Sequence, residues 1–291
     1  MIKKRIKTIV LASALTLAVF TAEAETTLSV RAESGIPVNV TDTQTVITPT
    51  PEVQATDPTQ TTEAAEQVNP VLAKCLPVYS ATVKKLMKDF NLAKKKKLNY
   101  KNAFDKAMIS SYSSGSKLVY SIYDVNDDGT PELVAGLQKG KKLYVFSIYT
   151  YYKKKSVCIT KDQSAFTWRI CKNGFVLWGS KNNMSSYSSE VVNASTLPKG
   201  KKELKQSLRL WKTVWVQKGA KNSRYLKHTF KGKLKYTEKT IDEKTYKKEV
   251  SKFKDIKLDY YQADNNAVAA LKNGTVSAEG AASQKLKAVW K

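Results

Sequence analysis

The sequence predicts an α+β protein: an antiparallel β-meander dominates, with helices on its N-terminal and C-terminal sides. Three observations carry that prediction. Between Lys117 and Tyr236, apolar and β-branched residues recur in short runs with a period of two. Lys139-Gly140, Asn173-Gly174 and Lys231-Gly232 punctuate those runs, and Asn-Gly between apolar segments is a strong hairpin signal. On either side the period changes to the helical one, in Val83, Leu86, Met87 and Phe90 and again in Tyr246, Val250 and Phe253.

Residues 1–24 read as a secretory signal. Lys3, Lys4, Arg5 and Lys7 form a basic start, Thr8 to Thr21 is mostly apolar, and Ala22-Glu23-Ala24 places small residues at the cleavage-determining positions. The apolar run is too short for a comfortable membrane span. The reading is therefore an exported chain beginning near Glu25, secreted or associated with the cell surface, with no membrane span after cleavage.

Residues 25–70 differ in kind. They hold 11 Thr and five of the 8 Pro, no Lys, and seven acidic residues against Arg31 alone. Such a composition buries too little apolar surface to offset its ordering entropy, which predicts a disordered acidic spacer. The remainder, 71–291, carries 45 basic and 17 acidic residues, a net charge of +28, and only Arg169, Arg209 and Arg224 among its bases are arginines. So basic a domain attracts anionic polymers outside the cell, or else its lysines only keep it soluble. The scarcity of arginine argues against specific nucleic-acid recognition, in which the planar fork matters.

Within 71–291 the expected elements run in order. A helix follows Pro77 with Ser80 as its cap, and a second, short one carries Tyr100, Phe104, Ala107 and Met108. Strands follow at 118–123, 133–137, 143–151, 157–159, 166–171, 175–178, 190–192, 208–216, 225–230 and 234–236. Thr240-Ile241-Asp242-Glu243 fits a capping box opening a helix, and a last helix spans Asn265 to Lys272, closed by Asn273-Gly274. The odd set Cys75, Cys158 and Cys171 does not make a disulfide framework; one Cys158–Cys171 bridge and three buried thiols both fit.

The chemistry is concentrated in Tyr123–Val134, and above all in 124–132. Asp124, Asn126 and Asp128 alternate, Gly129 permits a tight turn, the Thr130 carbonyl follows, and Glu132 opens the next apolar run. Several hard oxygens on one flexible loop suit Ca2+ better than Mg2+. An EF-hand is excluded, because its twelfth position falls on Ala135 and both flanks read as strands. A metal-free Asx-rich hairpin turn is the competing reading, with lysines offsetting the carboxylates.

The run Asp-Val-Asn-Asp-Asp-Gly-Thr-Pro-Glu-Leu-Val-Ala-Gly resembles the strand–loop–strand calcium motif of FG-GAP repeats. It is also similar to single loops of this kind in poorly characterised secreted proteins of Gram-positive bacteria. The resemblance implies calcium ligation by Asp124, Asn126, Asp128, Thr130 and Glu132, with Glu132 closing the cage. It does not imply a β-propeller, since the loop occurs once.

No catalytic constellation is legible. His228, the sole histidine, stands in Tyr225–Phe230 without an acid or nucleophile motif beside it. The functional reading is a secreted, non-enzymatic calcium-binding domain, an extracellular binding module with a structural calcium site. Its partner would be an anionic cell-wall polymer or glycan, met by aromatics such as Tyr144, Phe146, Tyr149, Tyr151, Tyr152, Trp168, Trp178, Trp211 and Trp215 beside lysines. Alternatives are an extracellular hydrolase of wall polymer or glycan, a calcium-independent cationic binder, and aromatics that are merely sheet core.

Overall fold

The computed structural model describes residues 70–95, 114–160, 167–232 and 235–290. The expected signal, the expected spacer except Pro70, and the short helix expected around Tyr100–Met108 lie outside them. Helix α1 (Pro70–Lys94) precedes strands β1 (Lys117–Tyr123), β2 (Glu132–Lys139), β3 (Lys142–Tyr152), β4 (Lys155–Cys158), β5 (Trp168–Ile170), β6 (Phe175–Asn183), β7 (Tyr187–Thr196), β8 (Lys205–Gln217), β9 (Ala220–Phe230) and β10 (Tyr236–Ile241). Helix α2 (Glu243–Ser251), strand β11 (Leu258–Gln262), helix α3 (Asn265–Lys272) and strand β12 (Gln284–Leu286) complete the chain. The expected class holds: one antiparallel sheet, with a helix before it and two near its C-terminal end.

The strands pair in the order β10-β9-β8-β7-β6-β5-β3-β2-β1-β11-β12, with β4 attached to β3. After β12 the chain returns to the start of β3, where Ala288 bridges Leu143 in parallel and Val289 donates its N–H to Leu143 O at 2.9 Å. That return closes β3, β2, β1, β11 and β12 into a ring. Its interior takes one side of each strand's alternation: Val119, Val134, Leu143, Val145, Ile148, Leu258, Tyr260 and Leu286, joined by Trp168 and Ile170 of β5. The opposite faces of β1 and β2, with Leu118, Tyr120, Leu133, Ala135 and Leu137, receive the helices. Strand β2 is buried on both sides for this reason.

Helix α1 starts earlier than expected and runs straight through Pro77. Its buried residues Leu76, Tyr79, Val83, Leu86 and Phe90 keep a 3–4 spacing across the proline, each contributing about 1.5–3 kcal/mol of burial. Pro77 and Ala73 both lie on the exposed side, so the carbonyl that the missing N–H leaves unbonded faces water. Ser80 is accordingly no cap: its hydroxyl donates to Val268 O on α3 at 2.8 Å. Asp242, not Thr240, caps α2 by accepting the Thr245 N–H, because Thr240 belongs to β10.

The meander β6–β9 extends well past the expected strand ends, to 175–183, 187–196, 205–217 and 220–230. Helix α2 covers one face of it, where Leu177, Val192, Leu210 and Tyr225 meet Tyr246. The other face carries a row of directly opposed residues, Trp168, Trp178, Asn193, Arg209, His228 and Glu238, one from each of β5 to β10. Among the described residues no helix is long and apolar enough to cross a membrane.

Candidate metal centre

Tyr123 and Glu132 are the last pair of the β1–β2 ladder, so the acidic loop is a connection held at both ends by strand. Gly129 sits at φ +84°, which lets the chain reverse, and Asp127 also takes a left-handed conformation at φ 52°. Within this turn the Asp124 carboxylate faces backbone donors. Its Oδ1 accepts the N–H groups of Asn126 and Asp128 at 3.3 and 3.2 Å, and its Oδ2 that of Gly129 at 2.7 Å.

Asp128 lies alongside. Its Oδ1 accepts the Thr130 N–H at 2.9 Å, and its Oδ2 takes Asn126 Nδ2 at 3.1 Å and the Gly200 N–H at 3.0 Å. Partial burial pushes its pKa up, but these three donors outweigh it and hold the carboxyl below its ordinary value. Asn126 Nδ2 also donates to Leu197 O at 3.2 Å. Its Oδ1, by contrast, is buried without a hydrogen-bond partner. An amide oxygen in that state, on a loop that also carries the Asp124 and Asp128 carboxylates, is suited to a cation.

Glu132 points elsewhere. It is fully buried, two residues before Val134 on the same strand face, and so directed into the ring of strands. Oε2 accepts the Val125 N–H and Oε1 the Thr150 hydroxyl, both at 2.9 Å. Burial drives its pKa up to about 8; the two donors lower it, and the charges of Asp128 and Asp124 add to the rise. The structure thus brings Asp124, Asn126 and Asp128 together and sets Glu132 behind the loop, holding Val125 from inside. Among the described residues no three His, Cys, Asp or Glu side chains are grouped to hold a metal ion.

Two sets of contacts around the loop escape any reading of the motif. The turn after β7 docks on it: besides the Leu197 and Gly200 bonds, Lys199 Nζ donates to Asp127 O at 2.7 Å. Helix α1 reaches its far end, where the Tyr79 hydroxyl donates to Pro131 O at 2.9 Å. The loop therefore joins α1, the β1–β2 hairpin and the β7–β8 connection.

Other sequence candidates separate cleanly. Phe146 and Trp168 are buried in the core, and Tyr144, Tyr149, Tyr151, Tyr152, Trp178 and Trp215 are half-buried. Trp211 is exposed, as is Tyr187, which faces Trp215 across β7 and β8. His228 is buried, stacks on Tyr236 at 4.7 Å and lies 3.0 Å from Glu238 Oε2. None of the three cysteines is in a disulfide. Cys158 stands opposite Tyr149 and Cys171 bridges to Asp255, so the two do not face each other. No protein-family model matches this chain, and no curated protein or solved structure matches it.

Proposed function

We propose that the chain is an exported, non-enzymatic binding module whose acidic loop takes one calcium ion as a structural clamp, and whose lysine-rich surface meets an anionic polymer outside the cell. The unpartnered Oδ1 of Asn126, the loop residue that falls between Asp124 and Asp128 in sequence, is the observation that carries the calcium site. Asp124, Asn126, Asp128 and the Thr130 carbonyl would hold the ion. Bound calcium supplies the close positive charge that two neighbouring carboxylates otherwise lack. Glu132 positions the loop from behind through the Val125 N–H, and Lys199 and Gly200 grip it from the front.

The role assigned to the ion is mechanical. It stiffens a junction between three elements and takes no part in chemistry. Extracellular modules bind calcium with dissociation constants of about 10⁻⁴–10⁻³ M, so the site is filled wherever calcium is plentiful. Isothermal titration with calcium and with magnesium tests this: one calcium per chain in that range supports it, and no heat from either ion contradicts it. A second reading, a turn that needs no ion, is favoured by the three backbone N–H groups already on Asp124. The same titration separates the two.

A further inference from the structure

We infer that the cleft between the end of β3 and the start of β8 is the ligand site, and that it takes an acidic glycan, seating a sugar against Tyr152 and its anionic group among Lys201, Lys202 and Lys205. This inference rests on the binding-module reading and names where and what such a module binds. It does not depend on the loop's ion.

The cleft has a volume of about 500 Å³, within the range of small-ligand sites, and is lined by Tyr152, Lys201, Lys202, Leu204, Lys205 and Gln206, with one carboxylate, Glu203, and Gly232. Its lysines outnumber its carboxylate three to one. Some lysines elsewhere pair with carboxylates, as Lys227 and Lys252 do with Glu249 and Lys285 with Asp259. Lys201, Lys202 and Lys205 have no ion pair among the described residues, although they lie together on five residues of chain. Three ammoniums against the one carboxylate of Glu203 leave the concavity positive and suited to an anion, because the cost of gathering them is recovered when a negative group enters.

The same cleft has an aromatic wall. The Tyr152 ring is half-buried, with Lys202 Nζ 5.8 Å and Lys153 Nζ 5.6 Å from its centroid. A flat apolar ring between cations matches a sugar, whose C–H face stacks on an aromatic while its acid substituent meets the ammoniums. Gln206 adds a neutral amide for hydroxyl groups. Its own Nε2 is fixed on Asn193 Oδ1 at 2.9 Å, the oxygen that also holds Arg209 Nε at 2.7 Å.

The wall is also pre-organised. Leu204 packs against the main core, and the residues just before the lysines are those the acidic loop grips, Leu197, Lys199 and Gly200. A rigid wall loses less entropy on binding than a free lysine-rich turn would. Nucleic acid fits less well. The cleft offers point charges in place of arginine forks, and one ring in place of the successive platforms that single strands need.

The test measures binding of the full-length chain, in chelator, to polygalacturonate for carboxylate, phosphorylated mannan for phosphate, neutral dextran, and single-stranded DNA. The expected result is binding to one or both acidic glycans that weakens as salt rises, with none to dextran. Lys201→Gln/Lys202→Gln/Lys205→Gln should weaken it about tenfold or more, whereas the charge-matched Lys84→Gln/Lys88→Gln/Lys95→Gln, on α1 and just past its end, should change it less than about threefold. Tyr152→Ala should cost about fivefold, and Lys202→Gln alone serves if the triple variant misfolds by circular dichroism. Equal loss in both triple variants, or DNA bound as tightly as the glycans, overturns the cleft and leaves the binding module standing. Binding to neither glycan overturns both.

Discussion

Gly200 donates its backbone N–H to Asp128 Oδ2 at 3.0 Å, tying the turn after β7 to a loop 72 residues earlier in the chain. Gly200 takes φ +64° to do so. The bond belongs to a small clamp in which Asn126 holds Leu197 O and Lys199 holds Asp127 O. The acidic loop is thus a fastening between two hairpins before any ligand is considered.

Removing the centre of that fastening should be costly. Asp128→Ala strips the acceptor from Gly200, Thr130 and Asn126 at once, and should destabilise the fold by about 1–3 kcal/mol in urea denaturation. Asp127→Asn keeps the backbone carbonyl that Lys199 uses and tolerates the left-handed conformation; it should stay within about 0.5 kcal/mol. Equal stability of wild type and Asp128→Ala would show that the clamp contributes nothing.

Glu132 should make stability fall with pH when calcium is chelated. Its folded pKa is raised to about 8 from an ordinary 4.5. Below the ordinary value the carboxyl is neutral in both states. Between the two values the unfolded chain ionises while the folded one keeps its proton, so stability is lost progressively and levels off above about 8. The charged groups facing Glu132 are Asp128 and Asp124, and their charge steepens the loss. Glu132→Gln should flatten the profile measured by urea denaturation from about pH 5 to about pH 9. An unchanged slope would place the titration elsewhere.

Thiol chemistry should single out Cys158. Burial pushes Cys75 up to about 11; burial and the nearby Asp255 push Cys171 up to about 12. Neither is thiolate at neutral pH, and both are shielded from reagents. Half-buried Cys158 should be the one thiol a disulfide reagent modifies in the folded protein, with all three reacting in denaturant. Fewer than three in denaturant would reveal a disulfide.

How much of this was legible depends on whether the cause was local. The strands β1 to β3 read clearly because Leu118, Tyr120, Leu133 and Leu137 face helices while Val119, Val134 and Val145 face the ring, leaving a dense apolar pattern. The outer parts of β6 to β9 did not, because Ser180–Asn183, Ser188, Ser189 and Lys221–Arg224 have little core to bury and are held as strand by backbone pairing. Strand β11 carries only two buried residues, Leu258 and Tyr260, too few to announce a strand. Leu258 and Tyr260 make sense only once the ring closes around them.

The site divides in the same way. Asp124, Asn126 and Asp128 were readable because a turn of this length brings them together by itself. Their partners Leu197, Lys199 and Gly200 were not, since only tertiary folding sets that turn against the loop. The inward direction of Glu132 had a usable signal: it lies two residues from Val134, and alternate residues of a strand share a face. The motif made it a cage-closing ligand, whereas the pleat turns it toward Thr150.

The central claim, calcium as a clamp in the acidic loop, is tested most directly by melting the wild type and Asp124→Ala/Asp128→Ala in chelator and in calcium at about ten times its dissociation constant. The account predicts a wild-type Tm about 3–6 °C higher in calcium and no calcium shift in the double variant. A wild-type Tm that calcium leaves unmoved, or a shift of the same size in both proteins, would contradict it.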